Sequence, residues 1–546
     1  MVLEIDEVKK IAKQITSAND KRHYNSIIKL INGLTVEDTS ILKEDSVERN
    51  IRFLTVAVHQ IFKKLFDRGD LTLDSATRRN RELLQFTQWL RKAYESFKRK
   101  ILLLIAETPF ETSLALDCQD VYIQLLESES IHFASNEDTP FFPNKSLKNL
   151  IVALWQSDLA ETEQDTRTGQ SENTILKEFL EKYYSSYVDI QYYFQTEFKQ
   201  LLEDEREKYT SNKSIAKWLT LVNNHCHCSE SNNELEVFVP NPPTAINSVS
   251  KYKSNIEKNW LVLLGGELSL QQYKTILLVL HKRIIPHFHE PTKLMDFLTD
   301  SYDLQATANS GDVVPILALN GLFALILRYN LEYPNFYAKL YQLLTPNLFH
   351  VKYRARFFRL MDTFLASTHL SAHLVASFIK RLARLTLSAP PGAIVSVIPF
   401  VYNLLRKHPS CMIMLHNPAF ISSPFMSTDD VQKLKNLKAD YRDPFDASEP
   451  NPENTKALDS SLWELATLMD HYHPNVATLA KMFGQPFRKL NYNMEDFLDW
   501  SYDSLLAAET SRKLKVLPTL EYEAFDRLFE DDDIEEKKSF LAGVTW

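Results

Sequence analysis

The chain has 546 residues, 44% of them hydrophobic, with 32 Phe, 23 Tyr and 7 Trp; that apolar content excludes disorder for most of its length. Only 10 residues are glycine, and none are spaced as in G-x-G-x-x-G, G-x-x-x-x-G-K-[ST] or G-x-S-x-G, which excludes the standard dinucleotide loop, P-loop and nucleophile elbow and disfavours tight-turned β architectures. The net charge of −9 is segregated, with −8 over residues 1–250, +7 over 251–430 and −8 over 431–546, so an acidic chain carries a basic middle that invites an acidic partner.

From the N-terminus the pattern is helical. In 74–107, Leu83, Phe86, Leu90, Phe97, Ile101 and Leu104 recur at spacings of three, four or seven, which places them in one stripe of an amphipathic helix. Gly33 and Gly69 follow helical runs and read as C-terminal stops. Residues 158–174 hold almost no apolar side chain and read as a flexible loop within an N-terminal helical region, 1–228. Residues 229–259, with Pro240, Pro242 and Pro243, read as a Pro-rich linker. From 260 to 515, apolar runs of 12–20 residues alternate with breaks at Pro286–Pro291, Pro315, Pro334, Pro346, Pro390–Pro391 and Pro409. Helices of that length joined by short turns make hairpins of roughly 40 residues, the size of HEAT or armadillo units, so the expected fold is an all-α helical-hairpin solenoid. The longest apolar stretch, Val313–Leu327, falls short of the ~20 residues of a membrane span and reads as a buried core helix. Residues 427–459 read as a polar insertion. Ser461 and Glu464 then match a capping box opening a helix over Leu462–Asp470. The tail, 516–546, is acidic, with nine acids and one arginine over Glu521–Glu536, and reads as a mobile or interaction segment.

Little here marks catalysis. His225-Cys226-His227-Cys228 is too tightly spaced for tetrahedral zinc, no second Cys/His pair lies nearby, and no metal or other cofactor is expected. The pairs His287/His289 and His471/His473 diverge by about 200° on a helix and read as turn or surface histidines. Four cysteines are too few for a disulfide framework and suit a reducing compartment, while Glu4, Asp6 and Glu7 suit neither a secretory signal nor a transit peptide. The chain therefore reads as soluble, intracellular and non-enzymatic. The one feature with geometry is basic. Taken as a helix, His350–Leu365 gathers Lys352, Arg356 and Arg359 within about 60°, opposite Tyr353, Phe357, Leu360, Met361 and Phe364. Lys380, Arg381 and Arg384 follow at i, i+1, i+4 on the next helix. Together the six form either a cationic ridge for an acidic peptide or rRNA phosphates, or a solvated face. Arg354 points into the apolar arc, where a buried guanidinium needs a carboxylate or carbonyl partner.

These same segments carry a resemblance. Val351–Leu387, the run APPGAIVSVIPFVYNLLRKHPSC to Cys411, Asp443-Pro444-Phe445, ALDSSLWEL at Ala457–Leu465 and HYHP at His471–Pro474 occur in this order and resemble the CCAAT-box-binding-factor (CBF) domain family over roughly 300–485. The resemblance implies an α-helical solenoid and a non-enzymatic scaffold of the nucleus and nucleolus. In that reading it pairs with nucleolar protein 14 in the small-subunit processome, for small-subunit rRNA maturation and 40S export, with pre-rRNA contact indirect. It offers no catalytic residues. Residues alone also allow a HEAT-type transport adaptor for helical cargo, or a helical hydrolase with an unmarked site. Nuclear import has only Arg91-Lys92 and Lys98-Arg99-Lys100 to rest on.

Overall fold

Buried apolar stripes at helical spacing dictate the architecture. The structure, a computed structural model, describes residues 4–17, 23–35, 44–73, 80–108, 112–134, 139–157, 173–223, 236–303, 313–329, 333, 335–422, 426–511 and 513. The HCHC cluster, most of the 158–174 loop and the 516–546 tail lie outside them. Among the described residues the fold is all-α, and its single β contact is an isolated bridge between Tyr187 and Glu236. No described helix is long and apolar enough to cross a membrane.

Packing divides the chain into two compact units, Met1–Leu343 and Leu344–Trp546. In the first, helices α1 (Ile5–Ser17) and α2 (Ser26–Gly33) pack on α3 (Asp45–Asp67), and α2 also meets α4 (Arg81–Glu107). Helix α5 (Ser113–His132) lies against both α3 and α4, and α6 (Asn144–Gln156) packs on α4. The series continues with α7 (Thr174–Phe179), α8 (Val188–Asp204), α9 (Asn212–Asn223) and α10 (Val249–Leu264), in which α6 and α10 both pack on α8. It closes with α11 (Leu270–Val279), α12 (Met295–Asp303), α13 (Val313–Tyr329) and α14 (Phe336–Gln342), where α11 and α12 cover α13. Most of these helices contact neighbours close in sequence, the packing logic of a helical-hairpin solenoid.

Local signals set the ends. Asn80, Thr112 and Asn173 cap α4, α5 and α7 with side-chain oxygens that accept backbone N–H groups. Gly69, at φ +75°, ends α3: its N–H reaches Phe66 O at 2.9 Å and that of Asp70 reaches Leu65 O at 3.1 Å, the paired bonds that need a left-handed residue. Pro291, Pro346 and Pro409 each open a 3-10 turn, where a missing N–H costs nothing. Helix α13 is buried over Val314–Leu322, and Gly321 permits its close approach: a Cβ there would sit 2.7 Å from Leu298 Cδ2.

Buried carboxylates pin successive elements together. Glu129 of α5 accepts from Lys98 Nζ (2.7 Å), Tyr94 (2.7 Å) and Ser146 (2.6 Å), joining α4, α5 and α6. Asp189, at the start of α8, accepts from the backbone N–H groups of Phe238 (3.1 Å) and Val239 (2.8 Å). Burial pushes its carboxyl above the ordinary value, and those amides pull it back only in part. Glu257 of α10 accepts from the N–H groups of His289 and Glu290 and from Lys293 Nζ.

The Asp189 contact corrects the expected linker. From Glu236 onward the Pro-rich stretch is laid against the first unit, with Val239 buried and Asn241 O accepting from Phe141 N–H. Trp218 of α9 meets Trp260 of α10 edge-on at 5.8 Å, and Asn259 donates to Gln195 Oε1 at 2.9 Å, so the described part of the stretch, 236–259, shares a core with the preceding helices; 229–235 lie outside the described residues. The division falls at Leu343/Leu344 instead. Proline marks irregular backbone; it does not reveal whether that backbone is packed.

In the second unit, α15 (Arg354–Phe364) buries Phe357, Phe358, Leu360, Met361 and Phe364. It begins at Arg354 and not near His350, because Pro346–His350 forms a 3-10 turn first. Helices α16 (Ala372–Thr386) and α17 (Pro391–Lys407) pack together, and α17 is buried from Pro391 through Leu405, the centre of the unit. Helix α18 (Thr428–Asp440) is largely exposed. The chain after it returns through two short helices, α19 (Trp463–Thr467) and α20 (Pro474–Ala480). Side chains of α17 then strap down the following segment: Tyr402 donates to Lys489 O, Asn403 exchanges two bonds with Tyr492, and Ser396 donates to Phe497 O, all at 2.7–2.8 Å. Helix α21 (Tyr502–Thr510) closes the described chain against α17.

Candidate docking site in the second unit

The six cations expected as one ridge do not form one. Lys380 is fully buried. Arg359 is held in a two-pronged ion pair by Glu495, Nε to Oε1 at 2.7 Å and Nη2 to Oε2 at 2.6 Å. Arg381 donates to Leu344 O at 2.9 Å, and Arg384 pairs with Glu464 at 3.3 Å. Lys352 is exposed and Arg356 half-buried. The reason is tertiary: carboxylates 63 to 136 residues away in sequence close on Lys380, Arg384 and Arg359, and a backbone carbonyl takes Arg381. Arg354 is half-buried and its hydrogen bonds go to carbonyls, Phe349 O at 3.1 Å and Trp500 O at 2.7 Å; burial lowers its pKa, and the charge of Asp499 offsets that only in part.

What the structure builds instead is an ionic cluster around Lys380. Its ammonium lies 2.8 Å from Glu464 Oε1, 3.1 Å from Asp443 Oδ2 and 2.6 Å from the carbonyl of Ser461. Lys380 and Glu464 side chains are both 0% exposed. The rings of Trp463 and Phe445 flank the ammonium at 5.6 and 5.8 Å, and the Arg384 guanidinium stacks on Trp463 at 5.1 Å. Asp443 also accepts from Ser460 Oγ at 2.5 Å, Phe445 N–H at 3.1 Å and Trp463 Nε1 at 3.2 Å. Burial alone would raise its carboxyl; the Ser460 hydroxyl, the Phe445 amide and Lys380 outweigh that and hold it below the usual value.

This geometry overturns the capping box. The helix starts at Trp463 with Leu462 at its N-cap and no side-chain cap bond. Glu464 is drawn inward to Lys380, and Ser461 contributes its carbonyl, because a buried ammonium without acceptors would cost more than an uncapped helix end.

Ser460 and Ser461, which the cluster holds through Asp443 and Lys380, line a groove of roughly 260 Å³. Ile413, Met414 and Phe420 line it together with Lys438, Tyr441 and the Asp459–Ser461 segment that leads into the cluster. Phe420 and Tyr441 meet edge-on at 5.4 Å. Ile413, Ile421, Leu437 and Tyr441 are 38–55% exposed, a run of apolar side chains that water would cover. Sequence reading missed this face by treating 427–459 as a polar insertion. Val431, Leu434, Leu437 and Tyr441, at spacings of three and four, were the available signal.

Nothing comparable suggests catalysis among the described residues. No group of three His, Cys, Asp or Glu side chains is placed to hold a metal. Burial pushes the Cys118 thiol up to about 12 and Cys411 to about 11, which suppresses the nucleophilic thiolate.

The cluster and groove lie within the part of the chain, residues 315–480, that matches the CBF/Mak21 family; residues 4–207 match the TPR repeats of nucleolar complex protein 4-like proteins. Over the full length of both chains, 64% of positions are identical to nucleolar complex protein 4 of Saccharomyces cerevisiae. The chain belongs to the nucleolar complex protein 4 family. Nucleolar complex protein 4 homolog A of Xenopus laevis is 34% identical over 88% of this chain and 87% of its own. The Mus musculus homolog is 32% identical over 88% of each. Family membership places the chain in the nucleolus with a role in ribosome biogenesis, and the helical repeats fit a scaffold.

Proposed function

We propose that this chain is a non-catalytic scaffold of small-subunit biogenesis, acting in the small-subunit processome as a heterodimer with nucleolar protein 14, and that the second unit docks that partner. The observation carrying this reading is the groove: exposed apolar side chains beside a wall held rigid by the Lys380–Glu464–Asp443 cluster, in the segment that matches the CBF/Mak21 family. A rigid polar wall fixes the shape of the site, and an apolar floor supplies the desolvation energy a stable protein contact needs. The dispersal of the expected cationic ridge favours protein over rRNA as the direct contact, because phosphate binding needs unpaired cations gathered on one face.

The test is capture from nucleolar extract with Ile413→Asp and Tyr441→Ala together. Recovery of nucleolar protein 14 and of small-subunit precursor rRNA should fall by about tenfold or more, the loss expected when anchor side chains leave an interface. Circular dichroism should be unchanged, since both side chains are about 40% exposed. Undiminished recovery of both would refute the reading.

A further inference from the structure

Beside the apolar floor the groove has one cationic rim. Lys438 lines it, and at 100° per residue Lys435 lies within about 60° of Lys438 on α18, while Asp440 lies about 140–160° from both. Lys435, Lys438 and Arg442 are exposed. Asp459 also lines the groove, so an incoming helix with an acidic stripe is favoured in the orientation that turns the stripe to the lysines.

The sequence of this chain carries such a pattern in a segment outside the described residues. Plotted at 100° per residue, EYEAFDRLFEDDDIEE (521–536) would gather Tyr522, Phe525, Leu528 and Phe529 in an apolar arc about 120° wide, with Glu523, Asp526 and Glu530 in an acidic stripe about 60° wide beside it. Acid beside apolar is the complement of Lys435 and Lys438 beside the floor. Reach is sufficient. Helix α21 packs at the Gly392 end of α17, where Trp500 O and Leu505 Cδ1 are the neighbours. The other end of α17 leads into Pro409–Met414, which carries the groove residues Ile413 and Met414. Seventeen helical residues make that separation ~25 Å, and the eleven residues from Ser511 to Tyr522 extend to ~36 Å.

We propose that residues 521–536 dock in the groove of their own chain as an amphipathic helix, with Phe525 and Leu528 on the apolar floor and the acidic stripe against Lys435 and Lys438. The inference rests on the reading of the groove as a docking site. It makes the segment an internal competitor, so a partner must displace it, and its apparent affinity falls with the fraction of groove left free.

Zero-length carbodiimide cross-linking of the full chain, read by mass spectrometry on an equimolar mixture of ¹⁴N and ¹⁵N protein, is the test. Lys435 or Lys438 should link to Glu523, Asp526 or Glu530 within one isotopic chain. Phe525→Asp with Leu528→Asp should abolish the link although every carboxylate remains, and should raise nucleolar protein 14 capture several-fold. Absence of the link, or links only between ¹⁴N and ¹⁵N chains, would overturn docking in cis while leaving the partner reading intact. The cis link together with full partner recovery by the Ile413 and Tyr441 variant would sink the partner reading alone.

Discussion

Removing either member of the Lys380–Glu464 pair tests the second unit at its most constrained point. Both side chains are 0% exposed, so each substitution leaves a buried group to be satisfied by what remains. The two are not equivalent. Lys380→Met leaves the Glu464 carboxylate with Arg384, at 3.3 Å and itself 46% exposed. Glu464→Gln leaves the ammonium with Asp443 at 3.1 Å and the Ser461 carbonyl at 2.6 Å. Stranding one member of a buried pair costs about 3–5 kcal/mol, so Lys380→Met should fall in that range. Glu464→Gln should cost about 2 kcal/mol, because a second carboxylate still neutralises the lysine. Replacing both by Met removes both charges together and should cost at least 1 kcal/mol less than the sum of the single variants, roughly the coupling expected for contacting residues. Urea unfolding followed by tryptophan fluorescence measures this, with Trp463 in the cluster as a local reporter. Additive losses, or a Glu464→Gln loss below about 0.5 kcal/mol, the level of a surface site, would show that the pair is solvated and the reasoning wrong.

Three further outcomes are expected. Burial, and secondarily the nearby Lys63, lowers the His59 pKa to about 4, so the unfolded chain takes up a proton between pH 6.5 and 4 that the fold does not; stability should drop across that window by about 3 kcal/mol, and a His59→Gln variant titrated by thermal melting should lose the dependence. Gly321→Ala should destabilise the first unit by about 1–3 kcal/mol, since the added methyl meets Leu298 Cδ2 at 2.7 Å and Leu280 Cδ2 at 2.9 Å; an unchanged melting temperature would mean the helices separate freely. A fragment starting at residue 251 should aggregate because it exposes Trp260 and Ile256, both 1% exposed in the whole chain, whereas 344–546 should stay soluble with a cooperative melt; the reverse result on size-exclusion chromatography would restore a boundary in the Pro-rich stretch.

Helical class was legible in the chain alone because it rests on local quantities. Spacing of apolar residues, scarcity of glycine and placement of proline act within a few turns, and they located α4, the stop at Gly69 and the buried α13. The inward face of α15 was equally readable, since Phe357, Leu360, Met361 and Phe364 obey one period. The fate of each charge was not. Lys380 reads as a surface lysine until α16 is set against Glu464 and Asp443, 84 and 63 positions on, and Arg359 reads as free until Glu495 arrives from 136 positions away. Whether the Pro-rich stretch was linker or wall likewise depended on Asp189, some 50 residues earlier. Periodicity determines which side of a helix faces inward; only the assembled neighbours decide whether a charged residue on it is solvated, paired or buried, because that balance of desolvation against Coulomb attraction is set at distances of a few ångströms between elements remote in sequence.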